Sequence, residues 1–349
     1  GDCGEYTRET SMERVGDLLI CGDCLSDHYY SCDHCGTWVH ENDTHTTDDD
    51  TGYVLCPECW DEHQEQNEVI RSYHSRPAEL EFLSAQQEAS TKPLYFGIEL
   101  EVDSSVEHSN RQEEAADVLD CFQHNGMQAV YATEDGSLNY GFELVSQPMT
   151  WGFLQETGLL MYSEACSRLT NYGYTSHNAG TCGLHVHVGR AGLGDSTQEC
   201  DEVITKIWLL MYRFTSEIIQ FSRRKAAQME HYCRPLSLES IGGMDTEESL
   251  ESLTYKVKEN GRNNRYLALN LCNRDTIEFR IFRGTLNMDT FTATLQFVKE
   301  LVNYAKSHSL DEVKTVSWHN FMRFTSIGNL ELTNYYRARG LDVTATSAD

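Results

Sequence analysis

Hydrophobic and polar residues alternate in four short segments of the chain, and most of the polar ones are Glu, His or Arg. Successive side chains of a β-strand point to opposite faces, so each segment is predicted to be a strand with one apolar and one charged face. An ordinary half-buried strand shows the same alternation with its charged side chains in water, and one segment alone indicates no site. The four segments cover residues 96–103, 139–146, 183–189 and 276–284.

If the four strands form one antiparallel sheet, their polar side chains lie close together and can form a single site. Four carboxylates placed so close together repel and cannot all ionise without cations. Divalent ions relieve this repulsion, and Mg²⁺ in particular binds carboxylates together with phosphate oxygens. Arginines beside such ions indicate a nucleotide polyphosphate. The side chains concerned are Glu99, Glu101, Glu143, Glu278, His185, His187, Arg280 and, redirected by the turn at Gly284, Arg283.

The pattern predicts an α+β fold: a mainly antiparallel curved sheet with a polar concave face, backed by helices on its other face. Stretches with hydrophobic residues at helical spacing lie between and after the strands. The segment 236–262 contains several glycines and is expected to be a loop that forms a mobile lid over the site. The predicted helices cover residues 110–124, 150–171, 197–222, 288–308 and 317–326.

Composition divides the chain into four parts. Residues 63–92 are rich in Glu and Gln with scattered hydrophobic residues, which predicts one or two short helices and a linker that ends at Pro93. This linker separates a zinc-binding module, 1–62, from a catalytic domain, 93–335. A small polar tail, 336–349, is expected to be frayed.

The 349-residue chain carries a formal net charge of −28, with 27 basic and 55 acidic residues. Residues 1–90 are especially acidic, with 4 Lys or Arg against 21 Asp or Glu. This balance argues against nucleic acid as a partner. We also expect no membrane partner and a cytoplasmic location, because no run is apolar enough for a membrane span and none near the start resembles a secretory signal.

Two cysteine pairs in the N-terminal part have the spacing of a zinc site. Cys32 and Cys35 form one Cys-x-x-Cys pair, Cys56 and Cys59 form the other, and twenty residues separate the pairs. Four thiolates at this spacing suit tetrahedral Zn²⁺, so we predict a structural zinc ion, with redox or disulfide use as the alternative. The zinc either only folds a segment too small for its own core, or the folded module also binds a protein partner.

A second zinc site is predicted from Cys3, Cys21 and Cys24, with seventeen residues between Cys3 and the pair. Its fourth ligand either precedes residue 1 or is a nearby histidine. Two consecutive four-ligand sites resemble LIM-type and treble-clef zinc modules, although the spacing between the sites is longer than in LIM domains. The remaining six cysteines are single, and we expect them to be buried thiols in a reducing cell interior. The candidate histidines are His28, His34, His40 and His45.

Several motifs of the charged strands occur in the order found in one known family. They are Phe96-Gly-Ile-Glu-Leu-Glu101, Glu134-Asp-Gly-Ser-Leu138, Phe142-Glu-Leu-Val-Ser-Gln-Pro148, Gly183-Leu-His-Val-His-Val-Gly189, Tyr266-Leu-Ala-Leu-Asn-Leu271 and Ile277-Glu-Phe-Arg-Ile-Phe-Arg-Gly-Thr-Leu-Asn287. Residues 94–305 therefore resemble the amidoligase family, a branch of the glutamine synthetase / glutamate–cysteine ligase superfamily. The family commonly occurs in bacterial and phage genomes, so a virus-encoded protein in the host cytoplasm is one expectation.

The resemblance implies an ATP-dependent carboxylate–amine ligase with a glutamine-synthetase-like catalytic domain. Such enzymes phosphorylate a carboxylate, and an amine then attacks the acyl phosphate to give an amide. By motif position, Arg280 and Arg283 would neutralise the transferring phosphoryl group, and Asp135 and His187 would take part in catalysis or substrate binding. Mg²⁺ or Mn²⁺ ions that bridge the ATP phosphates would be held by Glu99, Glu101, Glu143, His185 and Glu278.

Some of these residues, and a few others near them, also have a purely structural interpretation. Asp135 is a natural turn former in the Glu-Asp-Gly-Ser sequence, and Asn270 can cap a strand end. The basic residues at the end of a predicted helix either favour the helix dipole or contact a substrate carboxylate. These basic residues are Arg223, Arg224 and Lys225.

Two other functions fit part of the pattern. A metal-dependent hydrolase or nuclease would use the His-x-His pair with the glutamates, and a zinc adaptor protein would carry an inactive ligase-like domain. The excess of glutamates over histidines and the arginine pair favour the ligase. We further expect Glu99→Gln or Glu278→Gln to abolish turnover and to stabilise the metal-free protein, because each removes charge from a face that carries too much of it.

Overall fold

The structure, a computed structural model, describes residues 12–16, 18–47, 52–61, 68–73, 77, 79–85, 92–245, 248–261 and 264–342. The chain divides into two compact units, Gly1–Ser75 and Arg76–Asp349. The finer predicted division into four parts stays a prediction. Within the described ranges, no helix is both long and apolar enough to cross a membrane.

The first unit consists of short antiparallel hairpins around two small clusters of buried residues. One cluster contains Cys21 and Cys24, and the other contains Cys32, Cys56 and Cys59. Clusters of this size bury too little apolar surface to hold a fold alone, which is the usual reason for a structural metal. The elements are β1 (Met12–Val15), β2 (Leu18–Cys21), a helix (Gly22–His28), β3 (Tyr29–Ser31), β4 (Trp38–His40), β5 (His45–Thr46), β6 (Val54–Leu55) and β7 (Ile70–Arg71).

An antiparallel sheet forms the centre of the second unit. Its strands are β8 (Tyr95–Val102), β11 (Val130–Thr133), β12 (Phe142–Ser146), β13 (Met149–Thr150), β14 (Gly183–Gly189), β15 (Leu269–Asn270) and β16 (Thr276–Arg283), and a separate hairpin joins β9 (Gln123–His124) to β10 (Met127–Gln128). The order is β15-β16-β14-β8-β12-β11, with β13 on the first residues of β8, and each of these pairs is antiparallel. The predicted α+β fold is therefore confirmed.

Helices cover the apolar face of the sheet. On β16, the Phe282 ring packs against Phe221 at 6.0 Å and Phe297 at 6.1 Å, and these two rings belong to different helices. All five predicted helices are present, and the third is interrupted at Phe214. The helices of this unit are Arg111–Asp120, Trp151–Phe153 continuing through a π-helical turn into Leu159–Tyr172, Thr197–Arg213, Thr215–Ser222, Ala226–Tyr232, Leu250–Asn260, Met288–Ser307, Leu310–Thr315, Trp318–Thr325 and Leu330–Ala338.

The predicted loop over 236–262 is wrong at two places, because the helix Leu250–Asn260 and the short 3-10 helix Leu238–Ile241 lie within it. The Ser249 side chain accepts a hydrogen bond from the Ser252 backbone N–H and so caps the helix, while Leu253 and Val257 are buried beneath it. Their spacing is that of one helix face, and a Ser at the N-cap is a common start signal. The glycines around the segment concealed this short pattern.

The predicted helical linker also differs from the structure. Its described residues, 68–73, 77, 79–85 and 92, contain a short strand and extended chain but no helix. Leu83 lies beside β13, where its backbone N–H donates to the Pro148 carbonyl and its own carbonyl accepts from Thr150, both at 2.9 Å. These tertiary hydrogen bonds override the modest helix propensity of a Glu/Gln-rich segment.

A β-bulge in β16 decides which side chains reach the polar face of the sheet. Leu184 pairs with Phe282 and Val186 with Phe279, so two residues of β16, Arg280 and Ile281, lie opposite a single residue of β14. The extra residue shifts the alternation by one position, as bulges do. It keeps both phenylalanines on the apolar face and brings Arg283 onto the polar face. The bulge, rather than the turn at Gly284, redirects Arg283.

Gly141, directly before β12, allows the chain to approach the end of β8 closely. A Cβ at this position would lie 1.8 Å from the Val102 carbonyl oxygen and 2.5 Å from the Asp103 Cα. Since both are backbone atoms, they cannot move aside. We predict that Gly141→Ala lowers the free energy of unfolding by about 3 kcal/mol or more. Gly136→Ala, where a Cβ would meet nothing within 4 Å, should change it by less than about 1 kcal/mol in the same urea titration.

Candidate active site

The strand register places the predicted charged residues on one face of the sheet. Glu101 of β8 lies opposite Glu143 of β12, and Glu99 lies opposite His185 of β14. One step further along, His187 lies opposite Glu278 of β16. The apolar residues between them on β8 are fully buried on the other face. The four strands that the alternation predicted thus contribute to one polar face.

His185 lies at the centre of the four glutamates. Its Nδ1 is 3.1 Å from Glu99 Oε2 and 3.8 Å from Glu278 Oε1, and its Nε2 is 3.7 Å from Glu101 Oε1. Two groups of three side chains have donor atoms within 4.8 Å of one another, namely Glu99–His185–Glu278 and Glu101–Glu143–His185. His185 belongs to both groups, so the arrangement offers two adjacent cation sites.

The donor set fits hard divalent cations. Four of the five side chains supply carboxylate oxygens, the ligands that Mg²⁺ and Mn²⁺ prefer. Glu101, His185 and Glu278 are each at most 5% exposed, so water screens their charges little. A group of buried carboxylates of this density needs positive charge close by.

The cationic side chains balance only part of this negative charge. Burial by itself would raise the pKa of Glu99, but the charge of His187 and a hydrogen bond with His185 outweigh it and hold that pKa well below its usual range. Burial would likewise raise the pKa of Glu278, but the positive charges of His187 and Arg280 outweigh it and lower that pKa. Burial would also lower the pKa of His187, yet Glu99 and Glu278 raise it to about 9.

Glu143 carries the uncompensated repulsion. Burial and then the charges of Glu99, Glu101, Asp135 and Glu278 raise its pKa well above the usual range. The expectation that neutralising Glu99 or Glu278 stabilises the metal-free protein therefore needs correction, since those two glutamates have cationic partners. Glu143 is the carboxylate that a bound cation would relieve most.

Glu278 is fixed by several donors. Asn270 Nδ2 donates to its Oε2 at 2.7 Å, Asn273 Nδ2 donates to the same oxygen at 3.1 Å, and Arg280 forms an ion pair with Oε1. Asn270 also accepts from the Cys272 backbone N–H at 2.9 Å, so it caps the strand end in addition to holding Glu278. Asn273 is a site residue that lies outside the alternating segments, so the sequence pattern does not predict it.

His187 is held between β8 and β16. Its Nε2 lies 3.0 Å from Glu99 Oε1, and its Nδ1 lies 3.2 Å from the Thr276 hydroxyl. Gly97 stands opposite it on β8, and a Cβ there would come within 3.3 Å of the His187 Cβ. The missing side chain of Gly97 therefore leaves room for the imidazole, which in turn orients Glu99.

Asp135 lies in the turn before β12, and Asp103, directly after β8, lies beside this turn. One oxygen of Asp135 accepts from the Ser137 backbone N–H at 2.7 Å, as expected of a turn former. Asp103, which the sequence analysis did not select, is fully buried at the end of β8. Its oxygens accept from the backbone N–H groups of Asn139 and Tyr140 and from the Thr181 hydroxyl. Asp103 thus fixes the turn that carries Asp135.

The end of the sheet next to Gly183 is rich in arginine. Arg283 lies opposite Gly183, and Arg224, 6% exposed, reaches the same place from the end of helix Thr215–Ser222. Arg223 donates from Nη2 to the Arg283 carbonyl at 2.7 Å. Lys225 is exposed at the start of the next helix, outside this group. Two of the three basic residues at this helix end therefore point towards the site or its border.

Four cysteines of the first unit form a separate metal-binding group. The sulfurs of Cys32, Cys35, Cys56 and Cys59 lie within 4.8 Å of one another. Burial would raise the pKa of Cys32, but backbone N–H groups of Cys35, Cys56 and His34 lower it to about 6. N–H groups directed at sulfur favour the thiolate, which is the form that binds metal. The group fits the predicted zinc ion.

The other predicted zinc site is only partly described. Cys3 lies outside the described residues, and Cys21 and Cys24 are buried beside Tyr29. In the part of the chain that the structure describes, neither of these two cysteines joins a group of three ligands. The candidate histidines have other neighbours: His28 pairs with Glu41, His34 lies 3.3 Å from the Cys59 sulfur, His40 accepts from the Asn42 N–H, and His45 stacks on Trp60.

Comparison with known proteins supports the resemblance seen in the motifs. The family model described as "Putative amidoligase enzyme" matches residues 63–302. It begins before the segment that the motifs cover, within the predicted linker. No curated protein matches the chain.

The solved structures that the chain is similar to share little sequence with it. A novel glutamine synthase homolog is 12% identical, with a TM-score of 0.37, over 73% of this chain and 68% of that chain. A complex of GmaS with ADP is 12% identical, with a TM-score of 0.36, over 74% and 71%. The ligase PafA in complex with the prokaryotic ubiquitin-like protein Pup is 7% identical, with a TM-score of 0.31, over 73% and 63%.

The cysteine group leads to a prediction about folding. Protein purified without chelator should contain about one zinc ion per chain or more, and Cys32→Ser or Cys56→Ser should unfold the first unit, because zinc binding supplies on the order of 10 kcal/mol to such modules. Metal analysis and limited proteolysis before residue 75 measure the two effects. Cys272→Ser, at an exposed cysteine of the second unit, should change neither. Zinc-free protein with an intact first unit would contradict the prediction.

The raised pKa of Glu143 leads to a prediction about pH. A group whose pKa is raised by folding stabilises the protein when protonated, and this contribution is lost as the pH rises through the raised pKa. In EDTA, the Tm of the wild type should therefore fall as the pH rises above the ordinary glutamate pKa of about 4.3. Glu143→Gln, which cannot ionise, should flatten this decline, and Mg²⁺ should reduce it in the wild type. Glu113→Gln, at an exposed helix position, is the control and should follow the wild type.

Proposed function

The chain belongs to the amidoligase family, and we propose that it is an ATP-dependent carbon–nitrogen ligase that activates a carboxylate as an acyl phosphate and joins it to an amine. The observation that carries this proposal is the central His185, which is shared by two groups of carboxylates next to a set of buried arginines. Adjacent cation sites and guanidinium groups are the components that phosphoryl transfer requires, because it depends on positioning and charge stabilisation.

Each part of the polar face has a role in this proposal. Glu99, Glu101, Glu143, His185 and Glu278 would hold divalent cations, which supply charge neutralisation to the phosphate oxygens of ATP when bound. Arg283 lies on the same face and would face the phosphoryl group. Arg280 and His187 orient two of the carboxylates, Glu278 and Glu99, through their ion pairs.

The turn that carries Asp135 is proposed to bind the amine. Only one of the two Asp135 oxygens has a hydrogen-bond donor among the described residues, since Ser137 occupies Oδ1 alone. The second oxygen can accept from the ammonium group of a substrate. Asp103 would act as the positioning residue, because it fixes the neighbouring backbone.

The ligase and the hydrolase alternatives differ in what they need for turnover. A ligase releases ADP in proportion to product and only when both a carboxylate and an amine are present. A hydrolase releases its product without an amine. A screen of amino acids, peptides and amines for ADP release with Mg²⁺ and ATP would identify the substrates, and ATP cleavage that no pair of carboxylate and amine stimulates would overturn the proposal.

Two glutamate variants test the role of the cation sites. Glu278→Gln and Glu99→Gln should each lower substrate-dependent ADP release by at least about 10²-fold, because each removes an anionic ligand from the site. Both should also lower the Tm in EDTA, since each leaves a buried cationic partner uncompensated. Glu251→Gln, at an exposed helix position, is the matched control. Near-wild-type turnover in both variants would contradict the assignment.

A further inference from the structure

The arginines beside Gly183 differ in the hydrogen bonds and ion pairs that their guanidinium groups form within the protein. Each of the four arginines in this region has a buried Nε without a hydrogen-bond partner among the described residues; they are Arg223, Arg224, Arg280 and Arg283. Arg280 nevertheless pairs with Glu278, and Arg223 donates to a carbonyl. Arg224 forms no ion pair within the described ranges, and its Nη1 also has no partner, although the residue is only 6% exposed.

The sheet leaves a place for the Arg224 guanidinium. Gly183 stands on the polar face beside Glu101, to which its backbone N–H donates. A Cβ on Gly183 would lie 2.6 Å from Arg224 Nη2 and 2.6 Å from His185 Nε2. The two side chains therefore converge above this glycine, and the guanidinium lies beside the histidine that both carboxylate groups share.

The chain before Arg224 adopts an unfavourable conformation that places it there. Arg223 ends its helix with φ +63°, in the left-handed region that non-glycine residues rarely adopt. The Arg224 backbone N–H then donates to the Ser222 hydroxyl at 3.2 Å. Conformations of this kind are strained and cluster at functional sites. Here the turn sends the two consecutive arginines in different directions, Arg223 to the Arg283 carbonyl and Arg224 to the space above Gly183.

Burying an unpaired guanidinium is costly, because arginine keeps its charge at any ordinary pH. A chain with a net charge of −28 has many carboxylates that could have paired with Arg224, yet none within the described residues does. An anion bound beside His185 would supply the missing charge and would lie next to the proposed cations.

We propose that Arg224, above Gly183, binds the phosphoryl group while it is transferred, and that Arg280 acts mainly to orient Glu278. In that step the bond from the γ-phosphorus to the β–γ bridging oxygen breaks, and its electron pair leaves with ADP. A carboxylate oxygen of the substrate bonds to phosphorus in its place. Arg224 donates to the non-bridging oxygens, whose negative charge it stabilises. This inference rests on the proposed ligase function.

Binding measurements separate this role from a general effect on nucleotide affinity. Titration calorimetry with Mg²⁺–ADP, and with Mg²⁺–ADP plus aluminium fluoride as a mimic of the transferring phosphoryl, would be run on wild type, Arg224→Met and Arg224→Lys. In Arg224→Met we expect ADP affinity within about twofold of wild type and affinity for the mimic lower by about 10²-fold. Arg224→Lys should recover only part of the loss, because it lacks the planar fork.

Stability distinguishes a ligand-binding arginine from a structural one. In buffer without phosphate or sulfate, Arg224→Met should have a Tm equal to or above that of the wild type, because it removes an unpaired buried charge. Inorganic phosphate should raise the Tm of the wild type and not that of Arg224→Met. Arg234→Met is the control; its side chain is exposed and donates to a backbone carbonyl, and both responses should match the wild type.

Several outcomes would overturn the inference: equal loss of both ligands in Arg224→Met, no loss of the mimic, or a lower Tm in anion-free buffer. Failure of the ligase proposal looks different, since the wild type would then bind no Mg²⁺–ADP at all. In that case the response to inorganic phosphate still decides whether Arg224 forms an oxyanion site.

Discussion

Four glutamates lie on one largely buried face of a sheet around a single histidine, and their mutual repulsion is the constraint on which the rest of the site depends. Neighbouring side chains compensate this repulsion to different extents. Glu99 and Glu278 are balanced by His187 and Arg280, and their pKa values are lowered. Glu143 has no cationic partner among the described residues, and its pKa is raised instead. The imbalance favours the proposed binding of cations over a set of internal ion pairs.

The positive side chains are divided in a corresponding way. Arg280 and His187 are engaged with carboxylates, so they set the geometry of the proposed cation ligands. Arg224 lies beside them with unpartnered nitrogens, so it remains available to an anion. A nucleotide with divalent cations would satisfy both needs together, because its metals pair with the glutamates and its phosphates with the arginine.

Small residues make this density of charge sterically possible. Gly97 leaves room for the His187 ring, Gly183 for the Arg224 guanidinium and His185, and Gly141 for the close approach of two strands. The bulge in β16 adds a further position to the polar face. The scaffold beneath is conventional, with buried aliphatic and aromatic side chains between the sheet and its helices.

The sequence by itself determined the strands, most of the helices and the identity of the charged face, because alternation with period two is a local property that any strand must show. It also determined the four-cysteine group, since metal spacing is local. Tertiary structure alone decided the rest. The helix at 250–260 and the extended segment around Leu83 depend on what they pack against. Arg283 reaches the site through a bulge whose register involves two strands. Arg224 lies at a helix end about forty residues after Gly183. Only the folded chain brings these two residues together. Which glutamate has the raised pKa likewise depends on distances between side chains of different strands, and the spacing of residues in the sequence does not give these distances.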